Sequence, residues 1–224
     1  MMKINAMRVL GVLCLVLLMM PGVLAQRRGA QRRGAAAAAS SASGDYFPLR
    51  VGDSWTYRHS EGSKITFKVL SEEKQADGTA RYLVEMVSGA RVHYLYSKPK
   101  GWVLQHRVSY PDEQTGLKVD YEPGRRHLQN PLVAGAKWNW NGKDVGGNDV
   151  SEANQVIGPE LVEVPAGKFR AIKIIAHVSN GGTTAVKTYW YADGVGIIKS
   201  WTDAGAIKYG YELEDYSFKK TASR

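Results

Sequence analysis

Cysteine is almost missing from this sequence. Of 224 residues only Cys14 is one, and it lies inside an apolar run near the N-terminus. If that run is removed, the remaining chain has no thiol, which excludes disulfides, a cysteine nucleophile, cysteine-ligated zinc and iron–sulfur clusters. Helical patterning is missing as well: after residue 25 no 3.6-residue apolar period persists for three turns. No serine stands in a Gly-x-Ser-x-Gly context, so there is no nucleophile elbow. Gly146-Gly147 and Gly181-Gly182 precede no helical pattern, so neither makes a phosphate loop. Acidic residues are missing from residues 1–44, which hold six basic ones. The formal net charge of +9 therefore comes largely from that stretch, because from Asp45 onward 24 basic residues stand against 21 acidic ones. Interspersed charge of that kind is an ordinary soluble surface, so composition does not argue for nucleic acid as a partner, and none is expected.

Residues 1–25 carry the three parts of a secretory signal peptide. Lys3 and Arg8 form the positive region, Val9 to Met20 the apolar one, and Val23-Leu24-Ala25 follows the helix-breaking Pro21-Gly22. Cleavage is expected near Ala25, which sends the mature protein to the periplasm or out of the cell. The apolar run has 12 residues, too few to span a bilayer comfortably. Val12-Leu13 is a poor lipobox for Cys14, so no acyl anchor is expected there, nor a transmembrane helix in the mature chain. Residues 26–44 hold a tandem Gln-Arg-Arg-Gly-Ala repeat and an Ala/Ser run. They have no large apolar side chain to bury and read as a disordered basic linker. A weak tether to an anionic surface is the alternative use of their four arginines.

What the sequence does have is two-residue alternation. Residues 45–220 read as one all-β domain, an antiparallel meander of about twelve strands forming a half-barrel, barrel or sandwich. Ile65, Phe67 and Val69 share one face of a strand, as do Tyr82, Val84 and Met86, and Val92, Tyr94 and Tyr96. The clearest stretch is Leu161 to Trp201, four extended runs parted by Pro165-Ala166-Gly167, Asn180-Gly181-Gly182 and Asp193-Gly194. Ile172, Ile174, Ala176 and Val178 share one face there, and Phe169, Ala171 and Ile175 the other. A strand apolar on both faces is covered twice or lines a cavity. Trp102, Leu104, His106 and Val108 are expected on one face of a fifth strand. Glu122 to Ala136 reads as irregular, and Glu152 to Gln155 as able to hold a helical turn.

Two pieces together carry a resemblance: FPLRVGDSWTY (Phe47 to Tyr57), and VPAGKFRAIKI (Val164 to Ile174) followed by TYWYADGVGIIKSW (Thr188 to Trp201). The combination resembles a family of exported bacterial β-proteins of unknown function, whose domain looks like the open β-barrel of periplasmic lipoprotein carriers. The resemblance implies the fold; the carriers' plugging helix has no counterpart here.

Candidate chemistry is sparse. If Lys98 to Gly101 forms a four-residue loop, Ser97 pairs with Trp102 and His93 falls opposite His106, about 5 Å apart at Cβ and able to share a metal. No third ligand is evident, and neither metal nor cofactor is expected. Acidic pairs occur at Glu72-Glu73, Asp112-Glu113 and Glu212/Glu214-Asp215. A carboxylate-based hydrolase would need two of them to converge. The aromatic residues, six Trp and twelve Tyr, are the remaining oddity. Trp102, Trp138, Trp140, Tyr189, Trp190 and Tyr191 are the candidates for lining a ligand concavity. The function expected is a non-enzymatic exported domain that binds an apolar ligand or a cell-envelope component there. The alternatives are a structural or interaction module that pairs through sheet edges, and the hydrolase.

Overall fold

Each alternating run folds as a strand. The structure, a computed structural model, describes residues 44–113 and 116–218. The signal peptide at residues 1–25 and nearly all of the linker at 26–44 lie outside the described residues. The strands are β1 (Ser54–His59), β2 (Lys64–Lys74), β3 (Ala80–Ser88), β4 (Ala90–Ser97), β5 (Gly101–Ser109), β6 (Lys118–Asn130), β7 (Lys137–Lys143), β8 (Asp149–Val164), β9 (Gly167–Asn180), β10 (Thr183–Ala192), β11 (Gly196–Ala204) and β12 (Ile207–Ser217). They form one antiparallel sheet in the order β6-β5-β4-β3-β2-β1-β12-β11-β10-β9-β8-β7. The first and last strands pair, and the free edges fall on β6 and β7, which are consecutive in sequence and face each other. Of the three architectures expected, the chain adopts a barrel, closed except for one seam.

Bulges bend the strands enough to close it. Register shifts occur on β1 at Thr56/Tyr57, on β10 at Trp190/Tyr191 and on β8 at Val156/Gly158, among others. The hairpin turns use the residues their backbones demand. At Asp77-Gly78 the glycine has φ 80° and the Asp77 carboxylate accepts the Thr79 amide at 2.8 Å.

One end of the barrel is packed and plugged, and towards the other burial is mixed, with Ile65, Val92, Val150, Ser200 and Thr202 still buried. Inward side chains near one end are fully enclosed: Tyr57, Val69, Val103, Leu128, Val156, Ile174, Tyr191, Ile198 and Leu213 form one core. Further along the same strands the inward residues Phe67, Met86, Tyr94, Val178, Lys187, Tyr189, Tyr209 and Tyr211 are only half-buried. The packed end is plugged by residues 44–53, which cross it before β1. Phe47 packs edge-on against Tyr96, with ring centroids 5.1 Å apart. Asp45 ties three loops together there: its carboxylate accepts Lys98 Nζ at 2.7 Å and Asn130 Nδ2 at 3.0 Å, its amide donates to Asp193 Oδ1 at 2.7 Å, and its carbonyl accepts the Gly194 amide at 2.8 Å. Burial pushes the Asp45 pKa up, but Lys98 and Asn130 outweigh it and hold it below the usual carboxylate value.

Several local expectations are corrected. Glu122 to Asn130 is strand, not irregular, and only residues 131–136 connect β6 to β7. Pro123 is tolerated because β6 is an edge strand, where a missing N–H breaks no ladder. Glu152 to Gln155 is extended in β8 and holds no helical turn. His93 and His106 do not meet. The observed register pairs Ser97 with Leu104, Tyr96 with Gln105 and Leu95 with Arg107, leaving His106 bulged out and His93 opposite Ser109. His106 Nε2 instead pairs with Ser97 Oγ at 2.8 Å, and His93 Nε2 with Glu85 Oε2 at 3.2 Å. The same bulge splits the expected face of β5: Val103 and Gln105 are buried, not Trp102 and Leu104.

Tyr57 joins this core to its turns. Its hydroxyl donates to the Ile197 carbonyl at 2.9 Å, and its ring lies between Phe67 and Tyr211. Tyr57→Phe keeps the ring and orphans the carbonyl, so urea unfolding is expected to show a loss of about 1–2 kcal/mol.

Candidate functional site

The lumen wall next to the seam gathers charge that a barrel interior normally excludes. Direct register places Trp140 opposite Glu152 and Trp138 opposite Asn154 on the inward face of β7 and β8. Across the seam β6 contributes Arg125, half-buried at 20 % side-chain exposure against 13 % for Glu152. Arg125 Nη2 donates to Glu152 Oε1 at 2.5 Å, and Nη1 donates to Gln105 Oε1 at 3.1 Å. Gln105 Nε2 in turn donates to Tyr96 Oη at 3.2 Å. The guanidinium lies over the Trp140 ring, 4.5 Å from its centre, and Tyr121 meets that ring edge-on at 5.5 Å. Gly142 makes room for this: a Cβ there would lie 2.3 Å from Trp140 Cζ2, so the indole lies along its own strand only because residue 142 has no side chain.

Burial opposes the Arg125 charge, and Glu152 more than offsets it, so its pKa stands above the ordinary value. Lys187 of β10 shares the lumen. Burial pulls its pKa down, with Glu152 acting against that and Arg125 adding to it. Lys187 has no hydrogen-bond or ion-pair partner among the described residues. Burial raises Tyr94, Tyr96, Tyr189 and Tyr191, and takes Tyr211 to about 12, so these hydroxyls stay protonated through the physiological range.

The sequence-predicted aromatic residues divide. Trp138, Trp140, Tyr189 and Tyr191 lie on inward rows, Tyr191 within the packed core. Trp102 sits at the seam, edge-on to Trp138 at 6.0 Å with Arg126 over its ring at 4.9 Å. Trp190 lies on the outward row between Tyr189 and Tyr191. Its Nε1 donates to Glu160, and Lys173 and Lys199 approach its ring at 5.4 and 5.7 Å. The acidic pairs do not converge. Glu212 pairs with Lys199 at 2.6 Å, Asp112 with Arg91 at 2.6 Å and Glu214 with Lys64 at 3.1 Å, and Glu72 and Glu73 are exposed. The residues missed from sequence are Arg125, Glu152 and Lys187. Parity was the available signal for two of them: Lys187 alternates with Tyr189 and Tyr191, and Glu152 with Val150 and Asn154.

An open depression of about 920 Å³ also crosses the outer faces of β7 to β11, lined by Asn139, Ser151, His177, Thr184, Val186 and Trp201. None of these residues carries an orphaned buried polar group, as the lumen residues do.

A nearly closed twelve-stranded antiparallel barrel is a known fold. It occurs in a "putative exported protein with YmcC-like fold" from Bacteroides fragilis NCTC 9343, with TM-score 0.50 and 12% identity over 78% of this chain and 100% of that one. Two further structures resemble the chain more distantly. A "putative lipoprotein" from Parabacteroides distasonis ATCC 8503 gives TM-score 0.48 at 15% identity, covering 78% and 99% of the two chains. The hypothetical lipoprotein YmcC from Escherichia coli K12 gives 0.36 at 13%, covering 73% and 84%. At such identities the likeness is one of fold, and at that level it bears out the resemblance read from Phe47–Tyr57 and Val164–Trp201. No family model matches the chain, and no curated protein does.

Arg125→Ala strands the Glu152 carboxylate in the lumen wall and is expected to cost about 3–5 kcal/mol in urea unfolding. The double variant Arg125→Met/Glu152→Leu is expected to recover most of that. His127 lies between Phe47 and Tyr96, with ring centroids at 5.4 and 5.3 Å, and burial takes its pKa down to about 3 from 6.5. Above pH 6.5 the ring is neutral folded or unfolded. Below that the unfolded chain binds a proton the folded one refuses, so stability falls from pH 6.5 towards about 3. The melting temperature of His127→Phe is expected to fall less steeply across that window.

Proposed function

We propose that this protein is an exported, non-catalytic barrel that holds an apolar ligand or cell-envelope component in its lumen. The observation that carries the reading is the set of half-buried inward rings away from the plug. One end is packed and plugged, whereas at the other the inward rings Phe67, Tyr94, Tyr189, Tyr209 and Tyr211 stay half-buried. A core that only had to fold would be filled to native density at both ends. Rings with polar tips lining an open cup suit an apolar ligand with a few oriented contacts. Export is supported by the signal-peptide pattern of residues 1–25 and fits the Bacteroides fragilis protein of the same fold, itself named as exported. The mature chain would then work in the periplasm or outside the cell.

The interaction-module reading has one observation in its favour. β7 covers β8 only as far as Gln155, and beyond it the β8 edge carries Ile157 at 46% exposure and Leu161 at 84%. Photo-crosslinking from position 161 in cells tests it. One reproducible protein adduct supports the module, and none sinks it.

For the lumen the neutral dye N-phenyl-1-naphthylamine is the probe. It is expected to brighten and shift to the blue with the full chain at micromolar concentrations. Ala185→Trp, on the inward row of β10 towards the open end, is expected to weaken that binding at least ~10-fold by filling the mouth. A dye response that Ala185→Trp leaves unchanged would refute a lumen site.

A further inference from the structure

Three buried nitrogen donors by the seam meet no acceptor among the described residues: Trp138 Nε1, Asn154 Nδ2 and Arg125 Nε. An orphaned buried donor costs about 1–3 kcal/mol, and native folds keep few of them. Here three fall in one neighbourhood. Trp138 and Asn154 are directly opposed across β7 and β8, which sets their Cβ atoms about 5 Å apart. Trp140, two residues along from Trp138 on the same face, carries the Arg125 guanidinium on its ring.

The same row continues across the sheet. Asn154 is opposite Ala176, and Ala176 is opposite Lys187. The short alanine between them leaves the long lysine side chain room to reach towards Asn154. Lys187 is itself without a hydrogen-bond or ion-pair partner among the described residues, and it interacts electrostatically with both Glu152 and Arg125. The neighbourhood therefore offers two cations, one carboxylate and three unanswered donors. What it lacks is one negative charge with several lone pairs. Gln129 Oε1, an orphan of acceptor type, is opposite Trp102 near the far end of β6 and does not answer these donors.

We infer that the lumen binds a monoanionic carboxylate head, held by Lys187, Arg125 Nε, Trp138 Nε1 and Asn154 Nδ2, with its apolar tail among the inward tyrosine rings. This rests on the lumen-ligand reading and narrows it to an amphiphilic acid. A carboxylate has two oxygens with about four acceptor sites, which matches the donor set. Its single charge balances the excess of Arg125 and Lys187 over Glu152. A phosphate monoester at full charge would overshoot that balance beside Glu152.

Displacement of N-phenyl-1-naphthylamine from the full chain at pH 8 by decanoate, 1-decanol and decyl phosphate tests the inference. Decanoate is expected to displace the dye at about tenfold lower concentration than decanol, the size of effect one charge-assisted contact supplies. Lys187→Met is expected to bring decanoate to the level of decanol, Lys187→Arg to restore the preference, and Asn154→Leu to reduce it. Lys173→Met, on the outer face over Trp190, is expected to change nothing. Equal displacement by decanoate and decanol in the unaltered protein overturns the head-group site while leaving the lumen reading intact. Decyl phosphate outcompeting decanoate overturns the assignment to a carboxylate. Failure of the dye itself to bind removes the reading on which both rest.

Discussion

The barrel depends on how its last gap is closed. Eleven of the twelve possible strand pairings are hydrogen-bonded, and β6 and β7 are left to face each other without a ladder. An exposed edge of that kind invites pairing with another chain. Here side chains span it instead: Arg125 reaches from β6 to Glu152 of β8, Tyr121 abuts Trp140, and Trp102 abuts Trp138. Arg125 suits this position because its planar group can stack on an indole and fork to two acceptors at once. A ladder would have closed the gap with backbone alone. Closing it with side chains forces charge into the wall of the lumen, and that charge gives the interior its polarity.

The polarity sits within a graded interior. At the plugged end aliphatic side chains meet the rings of Phe47, Tyr57, Tyr96 and Tyr191, with the Tyr57 hydroxyl bonded to a carbonyl and the Tyr96 hydroxyl to Gln105. Further along, Tyr94, Tyr189, Tyr209 and Tyr211 are half-buried. Lys187 lies further out still. The order of apolar floor, aromatic wall and charged rim suits a molecule with a long apolar part and one polar end. The same gradient accounts for inward residues with unlike exposures on a single strand, such as Tyr191 and Lys187 on β10.

Much of this was legible in the sequence. Alternation located the strands, as with Val92, Tyr94 and Tyr96, and Asp77-Gly78 and Asn180-Gly181-Gly182 located turns. Bulges were not legible, because a single skipped residue leaves the composition of a strand unchanged. His106 shows the consequence: the hairpin sets Ser97 opposite Leu104 rather than Trp102, two residues on, and the bulge at His106 adds one more, so His93 falls opposite Ser109. β6 was understated because Pro123 reads as a breaker, whereas it lies on an edge strand. β8 was understated because its Glu152 to Gln155 is weakly patterned. The seam was invisible, since nothing local in Arg125-Arg126-His127 tells that Arg125 and His127 turn inward and Arg126 does not. Among the candidate site residues, Trp138, Trp140, Tyr189 and Tyr191 share the lumen, and Trp190 is separated from it by the same two-residue alternation that identified its neighbours.

The plug at residues 44–53 has a directional consequence. Gly44 leads directly into the Asp45 clamp, and Phe218 packs against Trp55 and under Arg50. The described chain therefore comes in and goes out through the floor of the cup. A membrane, a support or a fused domain joined at either side would hold the barrel by its base, with the opposite rim turned outward.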